Sequence, residues 1–139
     1  MPFLVAASFA LAADQWVKSL FLEGYTLKSE CISLILTFNR GVAFSMLSFL
    51  GPSLKWLQLL LLGGVVVYLI AGGHLRRYAA PAGLLVGAGF SNIYDRFLHG
   101  GVVDYVAWHC GFDFAIFNLA DVVIDLAVLW ILVLGFKKK

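Results

Sequence analysis

The chain has 139 residues, of which 62% are hydrophobic and only 13% are charged, and its net charge is +2. Its mean hydropathy is +0.93. Soluble domains carry about 25% charged and about 45–50% apolar residues, so one small globule cannot bury this much apolar surface. The alternative to a membrane protein is an unusually apolar soluble helical bundle. The small net charge, with no basic stripe along any predicted helix, argues against a nucleic-acid partner.

Four apolar stretches predict four transmembrane helices, approximately at residues 2–22, 56–73, 78–98 and 118–136. Each is close to the roughly 20 residues that cross the hydrocarbon core, and a helix satisfies its own backbone in lipid. We therefore predict an all-α integral membrane protein in which residues 1–139 form one four-span domain. Ala10-Leu11-Ala12 is also typical of a signal-peptide cleavage site, but no positive residue precedes it and the apolar pattern continues to Leu22.

The basic residues predict the orientation of the helices. The link His74-Leu75-Arg76-Arg77 and the terminal Lys137-Lys138-Lys139 hold five of the ten Lys/Arg residues and none of the eight Asp/Glu residues. By the positive-inside rule, the link and both termini face the cytoplasm. All eight acidic residues then fall at or near the outer side of the membrane.

The outer connection between spans one and two, residues 23–55, is too long for a simple turn. Apolar and polar side chains largely alternate over Ile32–Asn39, which predicts a strand. We expect a small β element on the outer membrane face. Cys31 and Cys110 form no CxxC pair, and we expect unpaired buried thiols rather than a disulfide.

Ionisable residues within the predicted spans raise the free energy of membrane insertion, so each requires a structural or functional explanation. Asp14 and Lys18 are four residues apart, so they share a helix face, and a structural ion pair is the favoured interpretation. Asn92, Asp95 and Arg96 also share one face. They either brace the bundle or present an amide and a guanidinium to a ligand.

Asp121 follows Asn118 in the first turn of the last span, where helix capping alone explains a carboxylate. Asp104 lies outside helical spacing of Asp121, so only the fold could bring the two together. A pair in contact would share one proton, with Asp104 as the acid and Asp121 as the anion. Such a pair can activate water and protonate a leaving amine, as in an aspartic protease.

Spacing alone leaves two other functions open. Asp104 and Asp121 could be structural caps in a non-catalytic bundle, such as a small transport or assembly subunit. A lipid head-group transferase would require a cluster of metal-binding carboxylates, and Asp121 and Asp125 alone are weak evidence for such a cluster. The three histidines have no metal-ligand spacing, so a zinc protease is not predicted.

Five motifs, in order over nearly the whole chain, resemble those of the lipoprotein signal peptidases (signal peptidase II), which are membrane aspartic proteases. Each motif is weak alone, and the ordered set on four spans is highly specific. The matching segments are Asp14-Gln15-Trp16-Val17-Lys18, Asn39-Arg40-Gly41-Val42-Ala43-Phe44-Ser45, Asn92-Ile93-Tyr94-Asp95-Arg96, Val102-Val103-Asp104-Tyr105 and Phe117-Asn118-Leu119-Ala120-Asp121.

The resemblance implies an intramembrane endopeptidase of the bacterial inner membrane that uses neither metal nor cofactor and works near the outer face. Its substrates would be prolipoproteins carrying diacylglycerol on the lipobox cysteine, cut just before that cysteine, and we expect a monomer surrounded by membrane lipid. Asp104 and Asp121 would form the catalytic pair. The resemblance also implies that Asn39, Arg96 and Asn118 bind substrate or hold the site. Asn92 and Asp95 would support them. Asp14 and Lys18 would lie on the wall that meets lipid and peptide.

The chain departs from the family pattern at two places in the segment Gly87-Ala88-Gly89-Phe90-Ser91-Asn92, where the family usually has G-G-x-x-G-N. The added groups of Ala88 and Ser91 should fill space where helices approach closely. Asp125, one turn beyond Asp121, is outside the family pattern. It either perturbs proton sharing in the pair or faces a polar pocket near the interface.

Overall fold

The structure is a computed structural model that describes residues 2–137, so Lys138 and Lys139 of the predicted basic terminus lie outside the described residues. Its helices are α1 (Pro2–Leu22), α2 (Leu54–Ala71), α3 (Leu75–His99) and α4 (Leu119–Phe136). Its strands are β1 (Leu27–Lys28), β2 (Ile32–Asn39) and β3 (Val102–Trp108). Two short 3-10 helices, Ala43–Ser45 and Ser48–Ser53, precede α2.

The four predicted helices are present, with shifted ends. The basic link was expected to separate the second and third helices, but Arg76 and Arg77 belong to the first turn of α3. The connection is instead a short turn in which Gly73 adopts a φ of +66°, a conformation that glycine enters without strain.

Two helical segments, Ser48–Ala71 and Leu119–Phe136, are long and apolar enough to cross a membrane. Within residues 2–137, α1 and α3 do not meet that measure of length and composition. Both carry ionisable residues, Asp14 and Lys18 in α1 and the Asp95–Arg96 pair in α3. The helices are thus as predicted, while the crossing of the membrane by all four stays a prediction.

The three strands form one antiparallel sheet in the order β1-β2-β3. The predicted strand over residues 32–39 is confirmed. β3 was not predicted, and the sheet therefore joins both connections at this end of the bundle rather than lying in the first alone. In the β2–β3 register, Thr37 lies opposite Asp104 and Asn39 lies opposite Val102. This pairing brings the motif at the end of β2 beside the start of β3.

The α3 helix is central, and α1, α2 and α4 all pack against it. Small residues permit the closest approach: a Cβ added at Gly83 would collide with the carbonyl of Phe3, and one added at Gly87 would meet the backbone of Ala7. Ala88 is fully buried in a cluster with Ala10 and Ala120. Its methyl group therefore fills the interface, as predicted.

Cys31 and Cys110 form a disulfide, so the expectation of unpaired thiols is wrong. The β2–β3 register is the reason, because it places Ile32 opposite Trp108 and brings the flanking segments together. The two cysteine Cα atoms lie 4.4 Å apart, and the His109 N–H donates to the Cys31 carbonyl at 3.0 Å.

Candidate active site

A cavity of about 460 Å³ lies where the sheet meets α2, α3 and α4. Its wall is largely apolar, with side chains such as Val42, Phe114 and Val122. A largely apolar cavity with a few converging polar groups is typical of a ligand site. The polar residues in the wall are Asn39, Gln58, Asn92, Arg96, Asp104, Asp121 and Asp125.

The first turn of α4 is held by a capping box. The Asn118 side chain accepts from the Asp121 N–H at 2.9 Å, and the Asp121 carboxylate accepts from the Asn118 N–H at 3.1 Å. The Tyr105 hydroxyl accepts from the Leu119 N–H at 3.0 Å. Capping therefore explains the backbone contacts of Asp121, while its side chain also reaches the cavity.

Asn118 links the two aspartates. Its Nδ2 donates to Asp104 Oδ1 at 2.8 Å, while its backbone N–H donates to Asp121. Asn92 Nδ2 donates to the other Asp121 oxygen at 3.0 Å. The fold thus brings Asp104 and Asp121 to one cavity with a hydrogen-bonding partner in common, as their predicted pairing requires.

Asp104 is only 2% exposed. Burial, reinforced by the negative charge of Asp121, raises the pKa of Asp104 from 3.8 to about 7. This carboxyl can therefore hold a proton near neutral pH. Asp121 accepts two N–H donors, one on each carboxylate oxygen, and such hydrogen bonds favour the anion.

A buried ionic network lies behind the cavity. Lys18 Nζ is 2.6 Å from both Asp14 Oδ2 and Asp95 Oδ2, and all three side chains are 1% exposed. Lys18 also donates to Asn92 Oδ1 at 2.8 Å. The predicted Asp14–Lys18 ion pair is confirmed. The expectation that these two residues lie on a wall facing lipid and peptide is wrong, because the charges turn inward, away from lipid that would penalise them.

Two residues of this network were not predicted as site residues. Ser91 Oγ donates to Asp14 Oδ2 at 2.6 Å, and Gln15 Nε2 donates to Ser91 Oγ and to Asp95 Oδ1, each at 2.8 Å. Ser91 therefore adds a hydrogen bond as well as filling space. Gln15 could have been predicted as a site residue from its position next to Asp14 in the first motif.

Arg96 braces the turn that follows β2. Its guanidinium donates to the Gly41 carbonyl and, at 3.5 Å, to the Asn39 carbonyl. The Asn39 side chain closes the same turn by accepting from the Gly41 N–H at 2.9 Å and donating to the Val42 carbonyl at 3.1 Å. Asn92, Asp95 and Arg96 were expected either to brace the bundle or to present polar groups to a ligand, and the contacts of Arg96 show bracing directly. Arg96, Asn39 and Asn92 also line the cavity.

Other polar residues near the site are placed differently. Asp125 is exposed on α4 and lines the same cavity as Asp121. His109 Nε2 lies 3.0 Å from Ser33 Oγ, at the end of the β2–β3 pair remote from Asp104. No group of three or more His, Cys, Asp or Glu residues within 2–137 is arranged to hold a metal ion.

The helical bundle has two apolar helices and carries a small sheet at one end, beside the cavity lined by Asp104 and Asp121. Two solved structures described as bacterial membrane enzymes, determined by the in meso method, share this fold. One has a TM-score of 0.82 at 24% identity and covers 99% of this chain and 91% of its own. The other has a TM-score of 0.80 at 23% identity, with coverage of 99% and 94%.

Sequence comparison defines the family. Residues 6–137 match the family described as signal peptidase (SPase) II. The lipoprotein signal peptidase of Sulfurovum sp. (strain NBC37-1) is 61% identical over 134 residues, covering 96% of this chain and 92% of that protein. The lipoprotein signal peptidase of Helicobacter pylori (strain Shi470) is 51% identical over 127 residues, with coverage of 91% and 81%. The chain belongs to the signal peptidase II family.

Proposed function

We propose that this member of a family of lipoprotein signal peptidases is an aspartic endopeptidase. Its substrates are prolipoproteins with a diacylglyceryl-modified cysteine, and the cut falls just before that cysteine. The observation that carries the proposal is the position of Asp104 and Asp121 on one cavity, linked through Asn118. No cofactor enters the proposed reaction.

The two aspartates divide the proton transfers. Asp121, as the carboxylate, takes a proton from a water molecule, whose oxygen attacks the scissile carbonyl carbon. Asp104, as the acid, donates its proton to the leaving amine nitrogen. The C–N bond then breaks to give a signal-peptide carboxylic acid and the free amine of the lipidated cysteine, which exchange a proton to become carboxylate and ammonium. Transfer of a proton from Asp121 to Asp104 restores the starting state.

The surrounding residues have supporting roles in this scheme. Asn118 and Asn92 orient the two carboxyl groups, while Asn39 and Arg96 shape the turn that borders the cavity. The substrate peptide contacts Asn39, Asn92 and Arg96 along the cavity wall, whereas the fully buried Asn118 acts through the carboxyl groups that it holds. Behind them, the network of Asp14, Lys18 and Asp95 fixes α1 against α3 and so holds the site in register.

We also propose that residues 1–139 form one domain with four membrane spans, acting as a monomer in the bacterial inner membrane. Although α1 and α3 carry charges, the ion-paired Asp14, Lys18 and Asp95 turn into the bundle, which leaves largely apolar surfaces for lipid. With the positive-inside rule, both termini are cytoplasmic. The sheet and the cavity then lie near the outer face, where the substrate emerges.

Cleavage of a synthetic diacylglyceryl-modified precursor by the purified protein tests the proposal. We expect Asp104→Asn and Asp121→Asn each to lower kcat by at least about 10²-fold, since each removes a proton-transfer group whose contribution is typically 10²–10⁴-fold. Asp113→Asn, at an exposed loop aspartate, is the matched control and should retain activity. Activity in either dyad variant, with folding verified by thermal unfolding, would favour a non-catalytic role for the pair.

A further inference from the structure

A second cavity, of about 430 Å³, lies between the beginning of α2 and the end of α3. Three basic side chains, Arg40, Lys55 and Arg96, line it, and no acidic residue is among its lining residues. Its remaining wall is formed by small or apolar groups that include Pro52 and Phe97. A cavity lined by three cations and no acidic residue has a positive potential.

Arg96 is the most buried of the three cations. It is 6% exposed, and among residues 2–137 no carboxylate lies within 4.0 Å ion-pairing distance of it. Its terminal nitrogens donate to backbone carbonyls, and its Nε is buried with no partner in the described part of the chain. Asp95, Asp104 and Asp121 act on Arg96 from beyond ion-pairing distance and offset part of its charge. Arg40 and Lys55 therefore carry most of the attraction for an anion in this cavity.

The start of α2 adds to the same potential. Its first turn contains no acidic residue, and Ser53 at the N-cap position makes no side-chain cap. The N-terminal end of α2, where Pro52 and Lys55 line the cavity, therefore has a positive dipole that no carboxylate in its first turn complements.

Aromatic side chains indicate the depth of the cavity in the membrane. Trp56, next to Lys55, is exposed, and its ring centroid lies 5.2 Å from that of Phe97. Lys55 Nζ lies 4.6 Å from the centroid of the Phe97 ring. Tryptophan is enriched at the level of lipid headgroups, and lysine extends its ammonium to that level. The anion within reach at this depth is a lipid phosphate.

We propose that this cavity binds the phosphate of an anionic phospholipid headgroup. Lys55 and Arg40 pair with the phosphate oxygens, and Arg96 in the cavity wall adds its positive charge. Because Arg96 also lines the aspartate cavity and braces the turn after β2, an occupied headgroup site stabilises that turn. The site is separate from the two aspartates and does not depend on the proposed catalysis.

Lipid binding by the full chain tests the proposal directly. The purified protein is placed in vesicles of phosphatidylcholine, with or without phosphatidylglycerol, and the lipid-dependent rise in Tm is titrated. Bound lipid is counted by native mass spectrometry. We expect Lys55→Gln and Arg40→Gln each to raise the half-saturating phosphatidylglycerol concentration about fivefold, since one basic residue near anionic lipid contributes about that factor.

Two controls complete the experiment. Lys28→Gln, at an exposed lysine of β1, should leave the titration unchanged, and Lys55→Arg should retain most of the response. The proposal is overturned if phosphatidylglycerol binds no better than phosphatidylcholine, or if Lys28→Gln weakens the response as much as Lys55→Gln. Inorganic phosphate is the third arm. Equal stabilisation by phosphate in phosphatidylcholine alone would assign the cavity to a free anion and overturn the lipid assignment.

Discussion

Lys18 Nζ lies 2.6 Å from Asp95 Oδ2, an ion pair that joins α1 to α3 with both side chains 1% exposed. Asp95 Oδ2 also accepts from the Val103 N–H at 3.1 Å, next to Asp104 in β3. One buried ammonium therefore connects the first helix, the central helix and the strand that carries a proposed catalytic residue.

Replacing Lys18 with methionine should destabilise the fold strongly. Lys18→Met leaves the buried carboxylates of Asp14 and Asp95 facing each other without a cation. Loss of one partner from a buried pair typically costs about 3–5 kcal/mol of unfolding free energy. Unfolding in mixed micelles measures the change, with Lys28→Met at an exposed strand position as the control. An unchanged unfolding free energy would contradict a stabilising role for the network.

Two substitutions at Asn118 should separate capping from orientation of Asp104. Asn118→Ser retains a capping oxygen, whereas Asn118→Ala loses it at a cost of about 1 kcal/mol. Both remove the amide that donates to Asp104 at 2.8 Å. If that donor orients the acid, kcat should fall about 10²-fold or more in both variants, although only alanine loses the cap. Cleavage rates and thermal unfolding test this. If kcat falls only in Asn118→Ala, the variant that also loses stability, Asn118 acts as a helix cap and does not orient Asp104.

The raised pKa of Asp104 predicts a pH-dependent stability. Between its ordinary value of 3.8 and about 7, the folded protein retains a proton on Asp104 that the unfolded chain has released. The unfolding free energy that Asp104 contributes therefore decreases as pH rises through this window and levels off above about pH 7. Asp104→Asn lacks this titration, so the variant should gain stability relative to the wild type across that range. A difference that stays constant from acid to neutral pH would show that Asp104 titrates normally.

We expect that a side chain at Gly87 would disrupt the packing of α1 against α3. A Cβ added there would lie 2.8 Å from Ala7 Cα and closer still to the Ala7 carbonyl. We expect Gly87→Ala to lower the unfolding free energy by about 1–3 kcal/mol, as overpacking does. Gly64→Ala in α2 is the control, because nothing lies within 4 Å of its added Cβ. Equal stability of the two variants would mean that the helices separate without cost.

Elements with a clear local pattern were predicted well. The apolar stretch of α1 extends over 21 residues, and the alternation of apolar and polar residues in β2 extends over 8 residues. Each pattern lies within a single segment, so each element could be predicted from that segment alone. β3 was missed because Val102, Val103, Asp104 and Tyr105 are buried on both faces of the sheet, so apolar and polar residues do not alternate there. Its β-branched and aromatic residues were the remaining signal.

Composition alone predicted lipid as the solvent for much of the chain, and the order of five short motifs indicated the family that sequence comparison then established. Contacts between distant segments depended on the tertiary structure. Only the packed helices and sheet place Lys18 against Asp95, Asn118 against Asp104, and Cys31 against Cys110. The physical reason is that periodicity reports which face of an element is buried, whereas the partner on that face is selected by the packing of the whole bundle.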